Sequence, residues 1–370
     1  MRLTADRTAL VDKLNIIARG ASTRSALPVL SGILLQAANG RLDLYATDME
    51  LSIKASLSTP VEQDGDIVVP ARLFTDVVRN LPSERVVLEA ADSALRVSGG
   101  RAEFSLNSWP ASDFPQTSTF VVEGGLTIGR APFIETLTKV GRAASRDETR
   151  PILTGVLVSL SGGTLKMVAT DSYRLAVKET KLGGEVAAEV QAIVPVKALS
   201  EVARLATTLG DGDIDLAISE NQAVFRLGDE SGDVYLASRL IDGQFPNYRQ
   251  LIPESFDHRV TLGKELVTAA ARRISLLAQR NAPLRLMFSP GKLTLRALTQ
   301  DVGQAEETLD VDYDGGEFEI GFNPTYLIDG IEAVDEEDVK LSFTNPLRPG
   351  LFSGGEGSFI YLIMPIRLSG

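Results

Sequence analysis

The sequence predicts an α+β protein made of three copies of one domain, and three observations predict it. A short strand with apolar side chains on every second residue occurs three times, each time behind a tight turn. A stretch with helical periodicity precedes each strand. A second helical stretch, beginning beside a proline, follows each one.

The strand is longest in the middle copy, Leu165-Lys-Met-Val-Ala-Thr-Asp-Ser-Tyr-Arg-Leu-Ala176. Leu42, Leu44, Ala46, Thr47 and Asp48 match its start in the first copy, and Leu293, Leu295, Ala297, Leu298 and Thr299 in the third. The turns ahead of them, Asn39-Gly40, Gly162-Gly163 and Pro290-Gly291, suit chain reversal. Only the middle copy continues into Ser172-Tyr173-Arg174-Leu175. The leading helices carry Leu10, Val11, Leu14, Ile17 and Ala18, then Phe133, Ile134, Leu137 and Val140, then Leu266, Val267, Ala270, Ile274 and Leu277. The second helices start at Pro70, Pro195 and Pro324. Their stripes are Leu73, Phe74, Val77 and Val78, then Leu199, Val202, Ala203 and Ala206, then Leu327, Ile328, Ile331 and Val334. Gly40, Gly163 and Gly291 are 123 and 128 residues apart, and the three prolines 125 and 129. Solenoid repeats have periods of roughly 20–50 residues, so each copy is a domain.

Segments Arg85–Val97, Ala102–Leu106, Asp213–Ile218, Ala223–Leu227 and Val234–Arg239 read as further strands. Phe114-Pro115 and Phe245-Pro246 favour extended crossing segments at the joins. The expected domains are 1–120, 121–250 and 251–370.

Composition removes several functions. The 370 residues are 44% apolar, with no uninterrupted apolar run long enough to span a bilayer. The N-terminus lacks a signal-peptide core. There is no cysteine, and His258 is the only histidine, which disfavours disulfides, thiol chemistry and multi-histidine metal sites. A cytoplasmic protein without membrane contact and without a cofactor is expected. The net charge of −12 argues by itself against binding nucleic acid. Yet five of the six helical segments are net basic, and only Pro324–Val334 is net acidic. Solvated helix faces and a dedicated basic surface both account for that segregation.

Asp48 and Asp171 could pair as catalytic carboxylates, but the third copy has Thr299 there, so they read as turn caps. Glu306-Glu307 and Asp335-Glu-Glu-Asp338 read as solvated acidic loop, and Trp109 as packing at a domain edge. Ser161-Gly-Gly163 and Ser353-Gly-Gly-Glu-Gly357 lack the Lys-Ser/Thr ending of a phosphate loop. A metal-dependent DNA hydrolase would need carboxylates converging within one domain, and the repeat scatters them.

The triplication, Leu27-Pro-Val-Leu30, Ala169-Thr-Asp-Ser-Tyr-Arg-Leu175, Asp242-Gly-Gln-Phe-Pro-Asn-Tyr248 and Tyr361-Leu-Ile-Met-Pro-Ile-Arg-Leu368 together resemble the bacterial DNA polymerase III β subunit family, the sliding clamps, over essentially the whole chain. The resemblance implies a homodimeric ring, with helices lining the hole and sheets on the outer rim. It implies a processivity factor and not an enzyme. Its partners would be double-stranded DNA, the replicative DNA polymerase, an ATP-dependent clamp loader, translesion polymerases, ligase and mismatch-repair proteins. By family position, a pocket for partner peptides falls on Leu153, Thr170, Ser172, Tyr173, Arg174, Leu175, Pro246, Leu251, Leu362 and Met364. DNA-facing positions are Arg24, Arg146, Arg150 and Lys197, with Arg7, Arg72, Arg79, Lys139, Arg142, Arg204, Arg272 and Arg273 added from the helices. Phe104 and Leu106 match the family's interface strand, and Ile274 and Leu277 lie near the facing helix. Tyr173 stands where many members have His, and Gln250 where some have Arg. Both departures bear on partner preference.

Overall fold

The structure, a computed structural model, describes residues 1–22, 25–91, 93–115, 119–122, 125–182, 189–229, 232–278, 282–299, 302–354 and 358–368. Arg24 and residues 355–357 of the second glycine-rich stretch lie outside the described residues.

Among the described residues the six α-helices are α1 (Arg7–Ile17), α2 (Ala71–Arg79), α3 (Arg130–Gly141), α4 (Val196–Thr208), α5 (Lys264–Ser275) and α6 (Pro324–Glu332). Four of them, α1, α2, α4 and α6, start at a capping side chain or a proline. Asp6 accepts from Ala9 N at α1, Pro70 occupies the cap position of α2, and Asn323 accepts from Thr325 N and Tyr326 N at α6. At α4 the proline is Pro195, the last residue of the strand before it. The apolar stripes bury as expected at Leu10, Leu14, Phe74, Val78, Phe133, Leu199, Val202, Val267, Leu327 and Ile331. Leu73 and Leu266 do not: each lies next to the buried residue of its stripe and faces outward. Among the described residues, no helix is long and apolar enough to cross a membrane.

The three repeated strands are Arg41–Thr47, Thr164–Thr170 and Lys292–Thr299. Each is paired antiparallel on both sides. Asn39 and Gly40, and likewise Gly162 and Gly163, have positive φ, the backbone of a tight two-residue hairpin. Arg85–Val97 is a correction: it is a hairpin of two strands, Arg85–Ala91 and Ala94–Gly99, not one strand.

Among the described residues the strands form four sheets, and the chain clusters into two compact units that do not follow the copies. The first unit is Met1–Ile134 with Lys197–Leu240. It holds a five-stranded sheet ending at Ala102–Asn107 and an eight-stranded sheet. The eight-stranded sheet joins four strands of the first copy to four of the middle copy, where Leu51–Ser58 pairs with Gly232–Arg239. The second unit is Glu135–Val196 with Ile241–Gly370. It holds a four-stranded sheet ending at Gly303–Asp310 and another eight-stranded sheet, in which Arg174–Lys181 of the middle copy pairs with Phe359–Ile363 of the third. The middle copy thus contributes half of each long sheet.

Trp109 exchanges backbone hydrogen bonds with Val68 and packs on Val29, Leu30, Leu34 and Phe114. Arg130 is almost wholly buried. Its guanidinium donates to the carbonyls of Leu209, Gly210, Asp211 and Asp213, just past the C-terminal end of α4, and to that of Gly228 in the strand Gln222–Asp229.

Candidate functional site

The turn after the middle strand is built by its own side chains. Thr170 Oγ1 donates to Arg174 O at 2.6 Å. Asp171 Oδ1 accepts from Tyr173 N and Arg174 N, each at 2.9 Å. Ser172 sits at φ 79°, in the left-handed region. The first copy repeats this turn. Thr47 Oγ1 donates to Leu51 O, Asp48 Oδ1 accepts from Glu50 N and Leu51 N, and Met49 has φ 77°. Both aspartates are therefore turn caps. The backbone turn is shared between copies, and what the middle copy adds is the side chains Tyr173 and Arg174 in place of Glu50 and Leu51.

Arg174 is held from four directions. Its guanidinium donates to Asp171 Oδ2 at 3.0 Å, Asp329 Oδ2 at 2.6 Å and Tyr361 Oη at 3.1 Å, and lies 4.3 Å from the centre of the Tyr326 ring. Burial works against its charge, yet its pKa is raised, because Tyr361 accepts from it and both carboxylates favour the cation. Burial pushes the Tyr361 hydroxyl well above the ordinary tyrosine range, so that group stays neutral.

Nine of the ten expected pocket residues form two layers, and Arg174 is the half-buried tenth. Leu153, Thr170, Leu175 and Leu362 are buried. Leu175 and Leu362 face each other in register across paired strands and pack with Leu157, Val168, Val177, Ile193 and Tyr248. Ser172, Tyr173, Pro246, Leu251 and Met364 are exposed above that floor. Met364 N donates to Tyr173 O at 2.8 Å, which ties the tail to the turn. A cavity of about 360 Å³ is lined by Gln250, Leu251, Pro253, Leu347, Pro349 and Met364, among others. A second, of about 600 Å³, is lined by Tyr173, Arg174, Tyr326, Arg142, Arg146 and Arg150, among others. Leu347, Pro253, Pro349, Tyr326 and Asp329 were not expected here. Leu347, flanked by Pro346 and Pro349, is 64% exposed yet sits in a loop that carries no periodicity to mark it.

Most of the expected DNA-facing cations already hold a carboxylate. Arg79 pairs with Asp76, Arg150 with Asp147, Lys197 with Asp48, Arg204 with Glu201, and Arg273 with Glu307. Arg142 reaches Glu332 and Asp329, and Arg272 reaches Glu332. Arg7 donates to Arg79 O. Arg72 and Arg146 are exposed, with no ion pair among the described residues. Lys139, expected on an exposed basic face, is buried between Glu135 and Asp335, above the Phe359 ring. Burial opposes its charge, but the two carboxylates outweigh burial and raise its pKa.

Of the interface candidates, Phe104 is 41% exposed on the edge strand Ala102–Asn107, and Leu277 is half-buried. Leu106 and Ile274 are buried in the chain's own core, because their side chains turn inward from the strand and from α5. Leu276, which the helical stripe passed over, is 75% exposed.

Three repeated domains of helices and sheets, with exposed Leu251 and Met364 beside a buried apolar floor and with cations along the helices, present surfaces suited to binding. Family models of the DNA polymerase III beta subunit match throughout: the N-terminal domain over residues 1–118, the central domain over 127–247 and the C-terminal domain over 249–367. The beta sliding clamp of Streptomyces coelicolor is 35% identical, with both chains fully covered. The crystal structure of the Bacillus subtilis DNA polymerase sliding clamp superposes with a TM-score of 0.94 at 28% identity, over the full length of both chains. A sliding clamp of Bartonella birtlesii, solved bound to griselimycin, does so at 0.92 and 31%, also over both full lengths. The chain belongs to the DNA polymerase III beta subunit family and functions as a DNA polymerase sliding clamp, a processivity factor.

Proposed function

We propose that two copies of this chain, each with domains 1–120, 121–250 and 251–370, close head to tail into a ring around duplex DNA, helices inward and sheets outward. The observation that carries this is the way the copies share sheets. Within the chain, the strand after the repeated one pairs with the last strands of the next copy, at Leu51–Ser58 with Gly232–Arg239 and at Arg174–Lys181 with Phe359–Ile363. The third copy's corresponding strand, Gly303–Asp310, is a sheet edge, and so is the first copy's last strand, Ala102–Asn107. Pairing one edge with the other continues the same junction into a second chain. Exposed Phe104 and Leu276, with Leu277, supply apolar contact there.

Contact with DNA is through spread Lys and Arg to phosphate, without base readout. The groove at Tyr173, Pro246, Leu251 and Met364 takes short linear peptides of the replicative polymerase, the loader, translesion polymerases, ligase and mismatch-repair proteins. Action in the cytoplasm, on the nucleoid, follows from this reading.

The test is topological. Loaded by an ATP-dependent loader onto nicked circular duplex, the protein stays bound until the circle is cut, and then runs off the ends. Equal loss from circular and linear DNA overturns the ring.

A further inference from the structure

The acidic helix among basic ones, α6, has a role that the basic surface alone does not explain. Asp329 and Glu332 lie three residues apart, on one face of the helix. Glu332 Oε2 accepts from Arg142 Nη1 at 3.3 Å, and its other oxygen accepts from Arg272 of α5. Asp329 lies 3.7 Å from Arg142 through one oxygen and accepts from Arg174 through the other. Two carboxylates therefore gather three arginines drawn from three different segments. Arg142 and Arg272 remain exposed while paired, so each can exchange its carboxylate for another anion without leaving the surface.

We propose that Glu332 acts as a built-in counter-anion for DNA, competing with phosphate for Arg142 and Arg272. The proposal rests on the reading of that surface as DNA-facing. A guanidinium with no internal partner gains a full charge-assisted contact on meeting phosphate, while one held by Glu332 gains only the difference between two such contacts. The competition keeps each phosphate contact shallow. It also reduces the number of phosphates that the arginines neutralise, and with it the number of cations that DNA releases per bound protein. A protein that must stay on DNA while moving along it needs contacts that exchange readily. Glu332 is a positioning residue in this sense, acting through the arginines.

The test uses the full-length protein, a fluorescently labelled linear duplex and anisotropy, from about 50 to about 200 mM salt. Glu332→Gln keeps the shape and removes the charge, and Glu332→Leu is a second charge-removing variant that retains helix propensity. Both should bind about tenfold tighter at the low-salt end. The plot of log affinity against log salt should steepen by about one to two units, one for each arginine released. Loss of packing alone would not steepen that slope. The gain should disappear when Glu332→Gln is combined with Arg142→Gln and Arg272→Gln. If the arginine variants weaken binding but neither Glu332 variant tightens or steepens it, the counter-anion role is wrong and the basic surface stands. If none of the variants alters binding, the basic surface is wrong and the counter-anion role falls with it.

Discussion

Arg174 shows how much one side chain can settle. A lysine there could offer its charge to one carboxylate, but not reach Asp171, Asp329 and Tyr361 in one plane while lying over Tyr326. Removing the guanidinium leaves two carboxylates facing each other in a mostly closed site. Arg174→Ala should therefore cost about 3 kcal/mol, read as a lower midpoint in urea unfolding. A midpoint within experimental scatter of the parent's would mean the network is incidental. Met364→Ala is the contrasting case. Its side chain is exposed and its tie to Tyr173 is through the backbone, so stability should hold while affinity for a polymerase-derived peptide falls about tenfold by calorimetry. Unchanged affinity would put the groove elsewhere. The sequence marked Tyr173, Arg174 and Met364 through the tail and turn motifs. It did not mark Asp329 or Tyr361 as the partners of Arg174, because they are 155 and 187 residues away and carry no local pattern.

At the scale of strands and helices, local periodicity was a good guide wherever one face is buried and the other wet. The repeated strands, the proline-led helices and most apolar stripes were legible for that reason. Leu73 and Leu266 were not, since a stripe about two residues wide looks the same whichever neighbour turns outward. The interface strand shows the same ambiguity at period two. Phe104 and Leu106 are two residues apart, which puts them nominally on one face, yet only Phe104 is accessible. Two substitutions separate the roles. Leu276→Lys places charge on an exposed residue and should give a folded monomer by light scattering at micromolar concentration. Leu106→Lys buries an amine in the core and should lower the melting temperature by several degrees, whatever the assembly state. A dimeric Leu276→Lys protein would remove that residue from the contact.

For the molecule as a whole, the number of copies was legible from spacing alone, but the shared sheets were not. Gly232–Arg239 pairs with a strand about 180 residues earlier, and Phe359–Ile363 with one equally distant, and neither strand carries a mark naming its partner. Charge behaved the same way. Segregation of Lys and Arg into helices was visible, whereas the burial of Arg130 and Lys139 and the pairing of Arg142, Arg272 and Arg273 were not, because those depend on carbonyls and carboxylates brought up by other elements.

Two of the sheet edges, Ala102–Asn107 and Gly303–Asp310, carry a thermodynamic consequence. Strands Leu51–Ser58 and Arg174–Lys181 find their partners within the chain, so their protection is independent of how dilute the protein is. In the proposed ring, the edge strands Ala102–Asn107 and Gly303–Asp310 would find theirs in another molecule, and mass action would then govern how long their amides stay closed. Hydrogen exchange at progressive dilution should therefore quicken along those two strands alone, leaving the eight-stranded sheets unchanged. Uniform behaviour across all four sheets would mean that the edges are not completed by a second chain.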